Sequence, residues 1–101
     1  MTLTMDATDK EKIKAIYKRL STIGTKESSF PAVESMFYDA INISRSYGND
    51  INTNEFLASL KKLEATEYKN TQTVFRKASQ RESAIRRFMQ SLRQSLHQWT
   101  A

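Results

Sequence analysis

Few side chains in this 101-residue sequence are of types and spacings that do chemistry. The single histidine, His97, has no second imidazole and no cysteine thiolate to share a metal with, and a surface histidine is the plainer reading. No serine has a base arranged around it, and the carboxylates are spread over helix faces and caps rather than paired. Two glycines cannot build a phosphate-cradling loop. The expectation is therefore no catalytic residue, no cofactor-binding residue and no metal ligand: the chain is not an enzyme and carries no cofactor.

One segment invites a closer look. From Ser44 to Glu55 the chain can be laid on a twelve-residue calcium loop, with Asn49 at the sharp turn, Ile51 at the apolar eighth position and Glu55 at the bidentate last one. The first, third and fifth positions are Ser44, Ser46 and Gly48, so one strong carboxylate survives. A turn followed by a well-capped helix explains the same residues, and tight calcium binding is not expected.

The stronger signal is basic. Residues 1–60 carry seven Lys and Arg against eight Asp and Glu, whereas residues 61–101 carry nine against three, so the net +5 arises in the last two-fifths. Lys69, Arg76, Lys77, Arg81, Arg86, Arg87 and Arg93 form a candidate contact set for an acidic protein or nucleic acid. Beside them Ile85, Phe88, Met89, Leu92, Leu96 and Trp99 make an apolar side suited to a partner helix or a second copy. The plain alternative is an ordinary bundle helix with solvated arginines.

These residues need helices to carry them. The first helix reads from about Asp9 to Ile23, with Thr8 and Glu11 as a capping box and Ile13, Ile16, Tyr17, Leu20 and Ile23 on one face; Gly24 closes it. Pro31 suits the first turn of a second helix capped by Ser28 or Ser29, with Val33, Met36, Phe37, Ala40, Ile41, Ile43 and Ser44 inward and Gly48 as its stop. A third starts at Asn52 as cap, with Ile51 stapled to Phe56 and Leu57, Leu60 and Leu63 following. From Thr66 on no strong breaker appears. Tyr68, Phe75, Ala78, Ile85, Met89, Leu92, Leu96 and Trp99 follow heptad-like steps, and Ser79 with Glu82 marks a hinge between two helices there. Nothing alternates with period two, so no sheet is expected.

The fold class is all-α: one domain over residues 1–101, a small bundle of four to five helices. Residues 1–7 are a flexible lead-in and 66–101 a long basic C-terminal helical segment. Leu, Ile, Val and Phe number 21, a thin core for one short chain, and this favours a homodimer. The absence of cysteine, of an apolar leader and of a membrane-length run favours a cytoplasmic setting with no membrane span.

Residues 33–78 resemble the YmgB/AriR family of small enterobacterial biofilm and acid-resistance regulators. The likeness lies in a helix ending near glycine, then Gly48-Asn49-Asp50-Ile51-Asn52-Thr53-Asn54, then Leu57-Ala58-Ser59-Leu60 and Leu63-Glu64-Ala65-Thr66, with a one-residue gap in the third helix. It implies an all-α homodimer that regulates through protein contacts and binds DNA in some settings. Three function classes follow. The first is a small non-enzymatic regulatory or adaptor protein working through helix-mediated protein–protein contacts. The second is a DNA-binding regulator using the basic C-terminal helix. The third is an immunity-type or antitoxin-type inhibitor.

Overall fold

Asp6 starts the first helix. In the computed structural model, which describes residues 5–47 and 51–97, its carboxylate accepts the N–H of Asp9 at 2.8 Å and helix α1 runs Ala7–Thr22. The cap thus lies at Asp6 rather than Thr8, because the aspartate one turn ahead of Asp9 satisfies an orphan amide directly. Met5 is only 2% exposed and joins the core cluster. Ile13, Ile16 and Leu20 are buried, with Tyr17 and Ile23 packed against the same core. The helix ends at Ile23 with extended backbone, and no left-handed glycine cap is used at Gly24.

A single 3-10 turn, Glu27–Ser29, leads into α2, Phe30–Arg45, with Pro31 in its first turn, where a missing N–H costs nothing. Ser29 precedes the helix but makes no side-chain cap bond. Phe30, Val33, Met36, Phe37, Ala40, Ile41 and Ser44 are buried, and the Ser44 hydroxyl donates to the Ala40 carbonyl at 2.8 Å. On the twelve-residue calcium loop from Ser44 to Glu55, the first position is a buried serine within α2 and α3 already begins at the eighth, Ile51; residues 48–50 lie outside the described residues. Asn52 falls inside α3 rather than ahead of it. The side chains of Ile51 and Asn52, read as staple and cap, and Gly48, read as the stop, lie outside the described residues.

Helix α3 has three parts: α-helix Ile51–Leu63, a π turn Glu64–Tyr68, and a last α turn Lys69–Thr71. The π turn sets the direction of Tyr68. At about 100° per residue, a regular helix would leave Tyr68 roughly 80° away from the direction of Leu60; the wide turn holds back about that much rotation and returns the ring to the core side. Threonine hydroxyls bond carbonyls at either end of the turn: Thr66 donates to the Lys62 carbonyl at 2.8 Å and Thr71 to the Tyr68 carbonyl at 2.6 Å. The chain then leaves the helix over residues 72–77 and re-enters it as α4, Ala78–His97. The break therefore falls before Ser79. At its exit Gln80 accepts the Lys77 N–H at 3.4 Å, a reach-back from a position that the Ser79–Glu82 pattern did not mark.

The four helices close a ring in which α1 packs on α2 and α4, and α3 packs on α2 and α4. Neighbours run antiparallel: Tyr47 past the end of α2 meets Asp9 at the start of α1, Glu34 meets Tyr68, and Arg81 at the start of α4 meets Thr71 at the end of α3. Among the described residues there are helices and no strand. Phe30 and Phe37, two turns apart on α2, form an aromatic cluster with Tyr68 from α3 and Phe88 from α4. In it Phe88 meets Phe37 edge-on at 5.0 Å and 90° and Phe30 edge-on at 6.2 Å, while Tyr68 lies stacked or tilted against the three. Edge-to-face geometry adds roughly 0.5–1.5 kcal/mol per pair to the burial of the rings themselves.

Candidate interaction surface

The two residue sets singled out in the sequence separate in the structure. Ile85, Phe88, Met89, Leu92 and Leu96 are all buried, at 3% exposure or less, by the other helices of the same chain. They are core, and the reason is the ring topology: α1, α2 and α3 together cover the whole apolar stripe of α4, so none of these five is presented to a partner. Trp99 lies outside the described residues. The heptad-like spacing was a real helical stripe, but its partner is internal; of its other members, Ala78 is exposed and Phe75 sits in the 72–77 loop.

The seven basic candidates also divide. Arg81 is committed internally: its Nε lies 2.6 Å from Glu27 Oε1, its terminal nitrogen donates to the Thr71 carbonyl, and its guanidinium stacks 5.2 Å from the Phe30 ring centre. It ties the end of α3 to the start of α2. Arg93 lies across Tyr17 at 5.6 Å with its Nε buried and unpaired. Lys69, Arg76, Lys77, Arg86 and Arg87 are exposed, and among the described residues none of them is in an ion pair. Arg86 and Arg87, about 100° apart on the helix, face different neighbours. Arg87 borders a groove with Val74 and Phe75, while Arg86 shares its side of α4 with Gln90, Arg93 and His97, the side beside α1.

That side is where the sequence reading missed residues. Tyr17, Gln90, Arg93, Gln94 and His97 line a shallow groove between α1 and α4, with the Tyr17 and His97 rings 5.7 Å apart and tilted at 44°. Lys10, Lys14 and Lys18 stand at four-residue steps on the flank of α1 that carries Tyr17, so they continue the cationic border of α4 onto the neighbouring helix. The other flank of α1, with Lys12, Ala15 and Ile16, borders α2 instead. Helices α1 and α4 together hold nine Lys and Arg against three Asp and Glu, a net +6. Helices α2 and α3 hold four against five, a net −1. One of the three acids on the positive layer, Asp9, is turned to α2, where it accepts the Tyr47 hydroxyl. The clue available in the sequence was the lysine spacing at 10, 14 and 18. Counting charge along the chain hid it, because the first helix also holds Asp9 and Glu11.

Three further phenols are structural. Tyr38 donates to Glu64 at 2.9 Å and Tyr68 to Glu34 at 2.6 Å, a reciprocal exchange between two Glu-x-x-x-Tyr pairs on α2 and α3. Desolvation and then the carboxylate neighbours raise both phenols above their usual range; for Tyr47 the hydrogen bond to Asp9 does so. Among the described residues no three acids or histidines gather as metal ligands.

Among the described residues the fold is a four-helix ring with its positive charge on one two-helix layer. No protein family, curated protein or solved structure matches the chain.

Proposed function

We propose that the chain is a small non-enzymatic regulatory or adaptor protein that docks its cation-lined α1/α4 face on an acidic protein partner. The observation that carries this reading is the division of charge between layers, +6 against −1, within one folded unit. Charge so divided steers an acidic partner toward one face and away from the other. Gln90 and Gln94 in the groove add hydrogen-bonding groups between the cations.

The same cations would meet phosphates if the partner were DNA, the alternative reading. Against it, the helix beside the groove is held flat along α1, with no separate recognition helix projecting for a groove of the duplex. The likeness of residues 33–78 to the YmgB/AriR family supports a regulator and adds a homodimer to the reading. Because the apolar stripe of α4 is used within the chain, a second copy would have to meet a different surface. A cytoplasmic setting belongs to the same proposal, since a chain without cysteine suits a reducing compartment.

The test is comparative capture from the native extract with the wild-type chain and with Lys14→Gln/Lys18→Gln/Arg86→Gln, each with and without nuclease. An acidic protein held by the wild type, insensitive to nuclease and lost by the variant, is the expected result. Capture abolished by nuclease supports DNA instead. Capture unchanged by the three substitutions moves the working surface elsewhere.

A further inference from the structure

The junction of α3 and α4 carries a second surface, separate from the α1/α4 groove. Val74 is 100% exposed, with Tyr38 the only other large hydrophobic residue classed as exposed among the described residues. One exposed valine is ordinary; its setting is not. Phe75 beside it is half-buried and shares a groove with Ala84, Gln80, Ser83 and Arg87. Arg87 lines the same groove, and Lys69, Arg76 and Lys77 lie within five residues of Val74 in the chain; all four are exposed and, among the described residues, outside any ion pair. No acidic residue occurs between Glu67 and Glu82. Glu27, which the fold brings to the start of α4, is already held by Arg81. The result is a fully exposed apolar side chain on a stretch whose charges are all positive.

We propose that the 72–77 loop docks on an anionic lipid surface, with Val74 entering the acyl boundary and Lys69, Arg76, Lys77 and Arg87 meeting headgroup phosphates. A fully exposed apolar side chain beside exposed cations, on a stretch without acids, matches the two layers of an anionic bilayer surface, acyl boundary and headgroup phosphates. Lysine and arginine near an anionic leaflet each add attraction, while the apolar side chain adds transfer out of water. The docking is peripheral, since no helix among the described residues is long and apolar enough to cross a membrane. Inserting one valine with a few cations gives weak, reversible attachment of the kind that a second contact strengthens.

The chain lacks cysteine, so Val74→Cys takes a single environment-sensitive fluorophore. The probe is titrated with vesicles of phosphatidylcholine containing a minority of phosphatidylserine, and with phosphatidylcholine alone. A blue shift on the anionic vesicles only, quenched by a lipid-borne quencher, is the expected result. Val74→Asp should lower co-sedimentation with the anionic vesicles roughly ten-fold, the scale set by losing one inserted side chain and adding one like charge, at an unchanged melting temperature. The variant Lys14→Gln/Lys18→Gln/Arg86→Gln should keep vesicle binding, so that failure here and failure of the α1/α4 reading are told apart. No shift on anionic vesicles overturns the proposal. So does an equal shift with duplex DNA or polyglutamate, which would make the loop a general polyanion contact or a protein contact.

Discussion

The Tyr68 hydroxyl donates to Glu34 Oε2 across the α2–α3 contact at 2.6 Å, and four residues along each helix Tyr38 returns the same bond to Glu64 at 2.9 Å. The exchange fixes the axial register of α2 against α3, and it depends on the π turn that aims Tyr68 inward. Tyr68→Phe keeps the ring in the aromatic cluster while removing the donor, and should cost about 1 kcal/mol, the usual net worth of one such bond. The alkaline limb tests the assignment independently. A phenol raised above its ordinary value of 10.0 holds its proton more tightly when folded. Its stabilisation is therefore complete below about pH 10 and lost as pH rises toward the folded value. Tyr68→Phe should flatten that loss in urea melts recorded between neutral pH and the alkaline range, and an unchanged alkaline slope would assign it to other groups.

Phe88 separates a core stripe from a partner seam. It is fully buried against Phe30, Phe37 and Tyr68, so Phe88→Ala should lower stability by about 3–5 kcal/mol. Phe75→Ala, in the half-buried loop, should cost far less. Urea midpoints with sedimentation equilibrium decide the matter. Loss of association with a nearly unchanged midpoint would return Phe88 to an intermolecular seam.

Much of the fold was legible because helix period and caps are local. Ile13, Ile16 and Leu20, then Val33, Met36, Phe37, Ala40 and Ile41, then Phe56, Leu60 and Leu63 all lie inward as their spacing requires. What spacing cannot say is which surface covers a stripe. Ile85, Phe88, Met89, Leu92 and Leu96 fit a second chain as well as they fit α1, α2 and α3, and only the closed ring decides. The π turn was hidden for a similar reason, since Glu64-Ala65-Thr66-Glu67-Tyr68 reads as ordinary helix until Tyr68 has a core to enter. The charged face was half visible. Arg86 and Arg93 stood out in the sequence, but Lys10, Lys14 and Lys18 joined them only when α1 packed beside α4.

Arg81 and Arg87 are both arginines of α4, and the structure gives them opposite roles. Arg81 bridges Glu27 and the Thr71 carbonyl over Phe30, whereas Arg87 is exposed and outside any ion pair. Glu27 is largely exposed, so the ion pair alone adds little, and most of the effect should come from the carbonyl left without its donor. Arg81→Gln should therefore cost about 1 kcal/mol, a fall in melting temperature of roughly 4–8 °C for a domain of this size. Arg87→Gln should stay within about 0.5 kcal/mol. Equal melting temperatures for the two variants would mean that the Arg81 clamp does not hold in solution.

The last prediction uses the balanced layer as the control for the positive one. Lys14→Gln/Lys18→Gln/Arg86→Gln removes three cations from the α1/α4 face, leaving Arg93 in place because its guanidinium also packs on Tyr17. Lys61→Gln/Lys62→Gln with Arg45→Gln removes the same charge from α2 and α3, where acids and bases nearly cancel. All but the half-buried Lys14 are exposed, and Lys14→Gln keeps most of its stem, so both variants should fold with stability changes of about 0.5 kcal/mol or less. Loss of net charge is then matched, and only its location differs. If the α1/α4 face is the working surface, association with an acidic partner should slow by roughly ten-fold or more in the first variant and little in the second, with the difference shrinking as salt screens the steering. A DNA partner would instead give a logarithmic salt slope that falls by about 0.9 for each phosphate contact removed. Equal losses in the two variants would show that the partner senses total charge alone, and the α1/α4 face would no longer be distinguished from the rest of the bundle.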